Sequence, residues 1–280
     1  MVSINTALGP IDSEKLGFTQ SHEHISGGFG GSPHSFPEFL DRPATLARAV
    51  RDLTQAKIEG LQTIMDVAPH DQGRDVRLQQ EVSRQSGINI VVCTGTWLDV
   101  PRFFERLEPD KIAQMYIREI EEGIDGTGIK PGIIKVASDR DGVKPGEELV
   151  LRAAARASLH TGIPIMTHTW APARIGDQQV QILEEEGMDL SKVCIGHSND
   201  TTNMEYLTGL LQKGVWLGMD RHPGNGPDVP NWKERTQILK TLIDQGWGKR
   251  IMIAHDWDDK PRWLRSIDLL AREVVPALSG

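Results

Sequence analysis

A unit of strand, helix and strand is visible in Gly132-Ile-Ile-Lys-Val-Ala-Ser138, Glu147–His160 and Pro164-Ile-Met-Thr-His-Thr169. The outer two runs are short and largely apolar, which is typical of buried strands. The middle segment places alanine and leucine at helical spacing and predicts an amphipathic helix. A helix that joins two buried strands indicates a parallel sheet, because parallel strands need a long crossover connection.

The same alternation recurs along the chain. Strand-like runs occupy Leu16–His24, Thr63–Ala68, Ile88–Thr94, Gly132–Ser138, Pro164–Thr169, Val193–Ser198, Val215–Asp220 and Arg250–Asp256. Helical patterns occupy Pro43–Glu59, Asp75–Ser86, Pro109–Glu122, Glu147–His160, Asp177–Glu186, Asn203–Lys213, Trp232–Gln245 and Ser266–Leu278. Eight strands that alternate with helices predict an α/β fold, a TIM (β/α)8 barrel.

The length of 280 residues allows one barrel or two small domains. No linker or shift of composition divides the chain, so we expect residues 1–280 to form one domain. A doubly wound open sheet is the alternative, but no glycine-rich phosphate loop follows an early strand. Only a short segment follows Asp256, which predicts a barrel with a shortened C-terminal part.

Charge and composition exclude several classes of protein. The formal net charge of -8 argues against nucleic-acid binding, which needs a basic surface. There is no apolar run long enough to span a membrane, and the first residues lack the features of a signal peptide. Cys93 and Cys194 each lie in an apolar run and read as buried thiols in a reducing compartment, so we expect a cytoplasmic protein.

Reactive side chains fall at the ends of the predicted strands. They are His22 and His24 in the first run, Lys135 in the fourth, His168 in the fifth, His197 in the sixth and Asp256 in the eighth. The active site of a TIM barrel lies at the carboxyl ends of its strands, so these side chains should meet there. Imidazole and carboxylate suit zinc and related ions, and His22 and His24 would share one face of a strand.

Lys135 lies in a strand that should be buried, where an unpaired ammonium group is costly. Three interpretations are open. The side chain could extend to the barrel rim, or form a Schiff base as in barrel aldolases. It could also carry a carbamate, made with carbon dioxide, whose two oxygens bridge two cations. The neighbouring histidines favour the carbamate, because aldolase chemistry has no use for them.

These motifs together resemble the phosphotriesterase family of the amidohydrolase superfamily, which includes the phosphotriesterase-like lactonases. The resemblance extends from Leu8 to about Pro276. The residues that carry it are His22-x-His24, Gly-Ile-Ile-Lys135-Val, Thr-His168-Thr, Ile-Gly-His197-Ser-Asn-Asp and His-Asp256-Trp.

The resemblance implies two divalent metal ions, most often Zn²⁺, with Co²⁺, Mn²⁺ or Fe as alternatives. It places His22, His24 and Asp256 on the more buried ion and His168 and His197 on the more exposed one, with carboxylated Lys135 and a hydroxide between them. In the family this hydroxide attacks the C=O of a lactone or ester or the P=O of a phosphotriester. Asp256 would accept its proton, and Asp200 would pass the proton to solvent. Family members are commonly homodimers.

The expected substrate is a small lactone, ester or organophosphate, and the indications are mixed. Trp97 matches the aromatic wall of phosphotriesterases, whereas Arg221, assigned to catalysis and substrate binding, is the residue found in lactonases. His222 and Trp257 are further candidate substrate contacts. A short loop after the eighth strand predicts an open mouth. A dedicated organophosphate triesterase, a Schiff-base aldolase acting through Lys135 and a barrel that only binds or regulates stay open as alternatives.

Overall fold

The computed structural model describes residues 2–222, 224 and 228–256. Two antiparallel strands come first, β1 (Ser3–Thr6) and β2 (Gly9–Asp12). Eight parallel strands follow, β3 (Thr19–Glu23), β4 (Thr63–Asp66), β5 (Asn89–Gly95), β6 (Ile133–Ala137), β7 (Ile165–His168), β8 (Val193–Ile195), β9 (Trp216–Met219) and β10 (Ile251–Ile253). Each of the eight pairs with the next one along the chain.

The helices lie between these strands, where the sequence predicts them. They are α1 (Arg42–Ile58), α2 (Val76–Ser86), α3 (Pro109–Glu122), α4 (Pro145–Thr161), α5 (Ile175–Glu185), α6 (Met204–Gln212) and α7 (Trp232–Asp244). The start of α4 is two residues earlier than predicted, because Pro145 takes the first turn and Glu147 accepts the backbone N–H of Lys144. The last predicted helix, Ser266–Leu278, lies outside the described residues.

The first and last of the eight strands meet and nearly close the sheet. The backbone N–H of Asp256 donates to the carbonyl of His22 at 3.0 Å, and the N–H of His255 donates to the Glu23 carboxylate at 3.0 Å. The eight parallel strands in this order, flanked by helices, confirm the predicted TIM barrel.

Strand β5 shows how the core is divided. Ile90 and Val92 pack against the helices around α2, whereas Val91 and Cys93 point into the barrel with side chains of other strands. Successive residues of a strand face opposite sides, so a fully apolar strand fills both layers. Apolar side chains thus fill the inside of the barrel, and the polar side chains lie at the carboxyl ends of the strands.

The hairpin of β1 and β2 was not predicted. The N–H of Ala7 donates to the carbonyl of Ile90 at 2.8 Å, and Asn5 Nδ2 donates to the carbonyl of Pro131 at 3.1 Å. The hairpin therefore lies against the amino ends of β5 and β6. In the described part of the chain, no helix is both long and apolar enough to cross a membrane.

Candidate metal centre

The carboxyl ends of the strands surround a cavity of about 360 Å³. Its lining is formed by His22, His24, Ser26, Gly27, Gly28, Ala68, Gln72, Trp97, Lys135, His168, Arg221 and Asp256. The described structure thus brings together side chains from the first, fourth, fifth and eighth predicted strands. His197 lies directly behind them and is fully buried.

Four side chains, His22, His24, Lys135 and Asp256, meet at the centre of this cavity. Asp256 Oδ1 lies 3.3 Å from His22 Nε2 and 3.2 Å from His24 Nε2. Lys135 Nζ donates to His22 Nε2 at 3.0 Å. One ligand atom from each of His22, His24 and Asp256 lies within 4.8 Å of the others, which is the spacing of side chains that could hold one cation.

A second pair of imidazoles lies beside this group. His168 Nδ1 and His197 Nε2 are 2.9 Å apart, and His197 Nε2 is 3.7 Å from Asp256 Oδ2. The far side of the His168 ring, Nε2, faces Asp139 Oδ1 at 3.8 Å. Asp256 therefore lies between the two sets of donors.

Asp220, which directly follows β9, orients two of these rings and was not singled out in the sequence. Its Oδ2 accepts from His22 Nδ1 at 2.8 Å, and its Oδ1 accepts from His197 Nδ1 at 2.9 Å and from the His197 backbone N–H at 2.8 Å. Because the Nδ1 atoms are occupied, both rings present Nε2 to the cavity. A carboxylate behind a histidine ligand is a common means of fixing ring orientation and tautomer.

The backbone is also unusual at two of these positions. His197 and Asp256 have left-handed φ angles of 57° and 54°. Such angles are uncommon for residues other than glycine and are concentrated at functional sites. His197 follows the end of β8 by two residues and Asp256 follows the end of β10 by three, so both lie in the loops at the carboxyl ends of the strands.

Burial sets the protonation of the donors. It lowers the pKa of His22 to about 4, with a further contribution from Lys135. Burial also lowers the pKa of Lys135 to about 8, although Asp256 and Asp220 oppose the change. Burial alone would raise the pKa of Asp256, but His197 and His22 outweigh it and hold this pKa well below its usual range. Burial likewise lowers the pKa of His168 and His197, whereas for His24 the contact with Asp256 outweighs burial and raises the pKa. At neutral pH the centre therefore holds neutral rings at His22, His168 and His197, an ionised Asp256, and a buried amine that loses its proton more readily than an ordinary lysine.

Arg221 links the centre to a chain of alternating charges. Its Nε donates to Asp256 Oδ2 at 2.7 Å, and its Nη1 donates to Asp200 Oδ2 at 2.6 Å. Asp200 Oδ1 in turn pairs with Arg235 Nη2 at 2.8 Å, and Arg235 Nε donates to the carbonyl of Pro230. Asp200 is thus separated from Asp256 by a guanidinium group and does not line the cavity.

Trp97, a predicted substrate contact, lies in the lining of the cavity, and its ring packs edge-on against His168 with 5.6 Å between ring centroids. Gln72 also lines the cavity and was missed by the sequence analysis. Its Oε1 is buried and has no hydrogen-bond partner among the described residues.

His222, a predicted substrate contact, does not line the cavity in the described structure. His222 is buried beside it, where its Nδ1 lies 3.1 Å from the carbonyl of Met219 and 3.3 Å from Asn199 Nδ2. Trp257 and most of the short loop after the eighth strand lie outside the described residues. His255, the neighbour of Asp256, points away from the cavity and pairs with Glu23 at 3.1 Å.

Known proteins resemble this chain over nearly its whole length. The model of the phosphotriesterase family matches residues 2–278. A phosphotriesterase homology protein of Mycobacterium tuberculosis is 38% identical over 99% of this chain and 91% of its own. An aryldialkylphosphatase of Saccharolobus solfataricus is 35% identical over 96% of this chain and 90% of its own. An N-acetyltaurine hydrolase of Xenopus tropicalis is 26% identical over 94% of this chain and 86% of its own. The chain belongs to the phosphotriesterase family.

Proposed function

We propose that this protein is a binuclear-metal hydrolase that opens lactones or related esters and also cleaves organophosphate triesters. The observation that carries the proposal is the convergence of imidazole, carboxylate and amine groups from separate strands on one cavity. Core packing does not require such a convergence, whereas metal binding does. The aryldialkylphosphatase among the relatives supports phosphotriester cleavage.

The donor set fits two divalent cations, of which Zn²⁺ is the first candidate. His22, His24 and Asp256 would hold one ion, and His168 and His197 would hold the other. Lys135, as a carbamate, would contribute an oxygen to each. Carbon dioxide reacts with the neutral amine, and burial, by lowering the pKa of Lys135 to about 8, makes this neutral form easier to reach. Bound there, two ions would lower the pKa of a shared water molecule and polarise the C=O or P=O bond of the substrate.

The chain's own residues then have three tasks. Asp220 keeps the Nε2 atoms of His22 and His197 directed into the cavity. Asp256 carries an ionised carboxylate at neutral pH and can accept the proton released during attack on the substrate. Arg221 holds Asp256 in place through their 2.7 Å contact and adds to the lowering of its pKa, which is due mainly to His197 and His22.

The contacts of Asp200 favour anchoring over proton transfer. The guanidinium of Arg221 stands between Asp200 and Asp256 and stays protonated at any ordinary pH. A proton from Asp256 therefore has no direct path to Asp200. We assign Asp200 the role of fixing Arg221, with Arg235 as its second partner.

The cavity suits a small, partly polar substrate. Its volume of about 360 Å³ is near the lower end for small-molecule sites. Trp97 offers an apolar wall, and Gln72 an amide group. Arg221 lines the cavity, but its Nε and Nη1 are already engaged by carboxylates, so it acts on the substrate mainly through Asp256.

Metal analysis and kinetics test the proposal. After removal of metal with a chelator and reconstitution with Zn²⁺ or Co²⁺, we expect about two equivalents of bound ion per chain and the return of hydrolysis. Fewer than one equivalent would overturn the proposal. The ratio of kcat/KM for an acyl-lactone to that for a paraoxon-type triester separates a lactonase from a dedicated triesterase. An N-acylated amine is tested as a third member of this substrate panel, because an N-acetyltaurine hydrolase is among the relatives.

The same experiment distinguishes the other classes. A Schiff-base aldolase would keep its activity in chelator, and borohydride would trap a carbonyl substrate on Lys135. A protein that only binds or regulates would retain two ions but hydrolyse no member of the panel. The cluster of imidazoles around Lys135 argues against the aldolase, which needs a lone lysine rather than metal ligands.

A further inference from the structure

The short turn His70–Gln72, between β4 and α2, contacts the segment that follows β5. His70 Nε2 lies 3.0 Å from Thr96 Oγ1, and Gln72 lines the cavity. Asp71, between them, points at the backbone of the segment that carries Trp97. Gly73 ends the turn in a left-handed conformation, with φ of 76°, which fixes the direction in which the three side chains leave it.

Asp71 is a buried carboxylate whose hydrogen bonds are to that segment. Its two oxygens each lie 2.9 Å from the backbone nitrogen of Trp97, which donates to them, and Oδ2 also accepts the N–H of Asp99 at 3.2 Å. Burial raises the pKa of Asp71 to about 6, so the side chain is ionised at pH 7 and above, and hydrogen bonds to an ionised acceptor are stronger than those between neutral groups. One side chain therefore holds two amides of the loop that forms the cavity wall.

We propose that Asp71 is a positioning residue that fixes the Trp97 wall and so sets which substrate tails the cavity accepts. The part that concerns substrates rests on the proposed hydrolase function. Asp71 has no contact with the metal-ligating side chains in the described structure, whereas Trp97 contacts His168 by its ring edge. Loss of Asp71 should therefore alter the shape of the wall without altering the chemistry.

Amide hydrogen exchange tests the positioning directly and does not require activity. In the metal-free protein, Asp71→Asn should speed exchange at the amides of Trp97 and Asp99 by about tenfold, the change expected when a hydrogen bond to a charged acceptor is lost. The matched control is Asp99→Asn, which removes the same charge from an exposed side chain of the same loop and leaves its amide in place. The control should leave exchange at Trp97 unchanged.

Steady-state kinetics test the selectivity. For a γ-lactone with a long alkyl tail, Asp71→Asn should raise KM about tenfold, while kcat and zinc content stay as in the wild type. For γ-butyrolactone, which has no alkyl tail, KM should change less than about twofold, which corresponds to a few tenths of a kcal/mol. In a Trp97→Gly background Asp71→Asn should have no further effect on either KM, because the wall is already absent.

The outcomes are separable. Unchanged exchange at Trp97 in Asp71→Asn would overturn the inference, as would an equal rise of both KM values or a loss of zinc, since either marks a general structural defect. If Asp71→Asn does not fold, Asp71→Ser, whose hydroxyl can accept one amide, replaces it under the same criteria. If the wild type hydrolyses no lactone, the proposed function fails, and the exchange experiment still decides whether Asp71 positions Trp97.

Discussion

Lys135 is the buried amine at the middle of the candidate centre, and its role can be tested by deletion. Lys135→Ala should abolish hydrolysis, because the carbamate that would be shared between the two ions is lost. Added acetate or propionate should restore part of the activity by placing a carboxylate in the space left by the side chain. Hydrolysis is measured with and without the acid.

The control for this experiment is Lys144→Ala, which removes an exposed lysine outside the cavity. It should keep full activity. Unchanged hydrolysis in Lys135→Ala would contradict the proposed role, whether or not the acid has an effect.

Asp220 is a residue whose importance only its contacts reveal. Asp220→Asn should weaken zinc binding by about 10–100-fold, because one of the two rings loses its orienting acceptor. The metal-free protein should also lose about 1.5–3 kcal/mol of unfolding free energy, the value of one hydrogen bond to a charged group. Metal titration and denaturant unfolding measure the two effects.

Asp139→Asn serves as the comparison for Asp220→Asn. Asp139 is half-exposed and lies 3.8 Å from a single ring, His168. It should change both quantities by less. An Asp220→Asn protein with wild-type zinc affinity would show that the carboxylate does not orient the ligands.

At the scale of elements, β9 approaches its neighbour so closely that one position excludes a side chain. A Cβ added to Gly218 would lie 2.6 Å from Asp220 Oδ2 and 3.0 Å from the Cα of Gly196, which directly follows the neighbouring strand β8. Gly218→Ala should therefore displace Asp220, lower the thermal stability and weaken zinc binding. Both are measured on the purified variant.

Gly209 provides a matched glycine in α6. A Cβ there would meet nothing within 4 Å. Gly209→Ala should stabilise the protein by about 0.5–1 kcal/mol through helix propensity and leave zinc binding unchanged. If Gly218→Ala bound zinc as the wild type does, the close packing of β9 would not be what places Asp220.

For the whole molecule, buried neutral imidazoles predict an acid-sensitive fold once metal is removed. Burial lowers the pKa of His22 and of His222 to about 4, against about 6.5 in an unfolded chain. Below pH 6.5 the unfolded chain takes up protons that the folded chain does not, so the free energy of unfolding falls between pH 6.5 and about 4. The loss should reach about 2 kcal/mol per ring at pH 5.

Urea unfolding in chelator at pH 7 and pH 5 measures this dependence. His222→Asn should reduce the slope between the two pH values. A midpoint that does not change with pH would contradict the assignment of neutral buried rings.

Much of the barrel and of the donor set could be predicted from local sequence. Short apolar runs that alternate with helical patterns indicate parallel strands, and the carboxyl ends of parallel strands meet at one edge. His22, His168 and His197 could therefore be grouped before any contact was known. The N-terminal hairpin could not, because its short, partly polar strands are stabilised by contacts with Ile90 and Pro131 far along the chain.

The order of strands and helices and the reactive residue at each strand end follow from periodicity over a few residues, so they can be predicted from the sequence. The groups that support these reactive residues become visible only in the folded chain. Asp220 orients a ring 198 positions away, and Asp71 holds the amide of Trp97. Such contacts join side chains that local periodicity does not relate, so they depend on how the loops pack above the barrel.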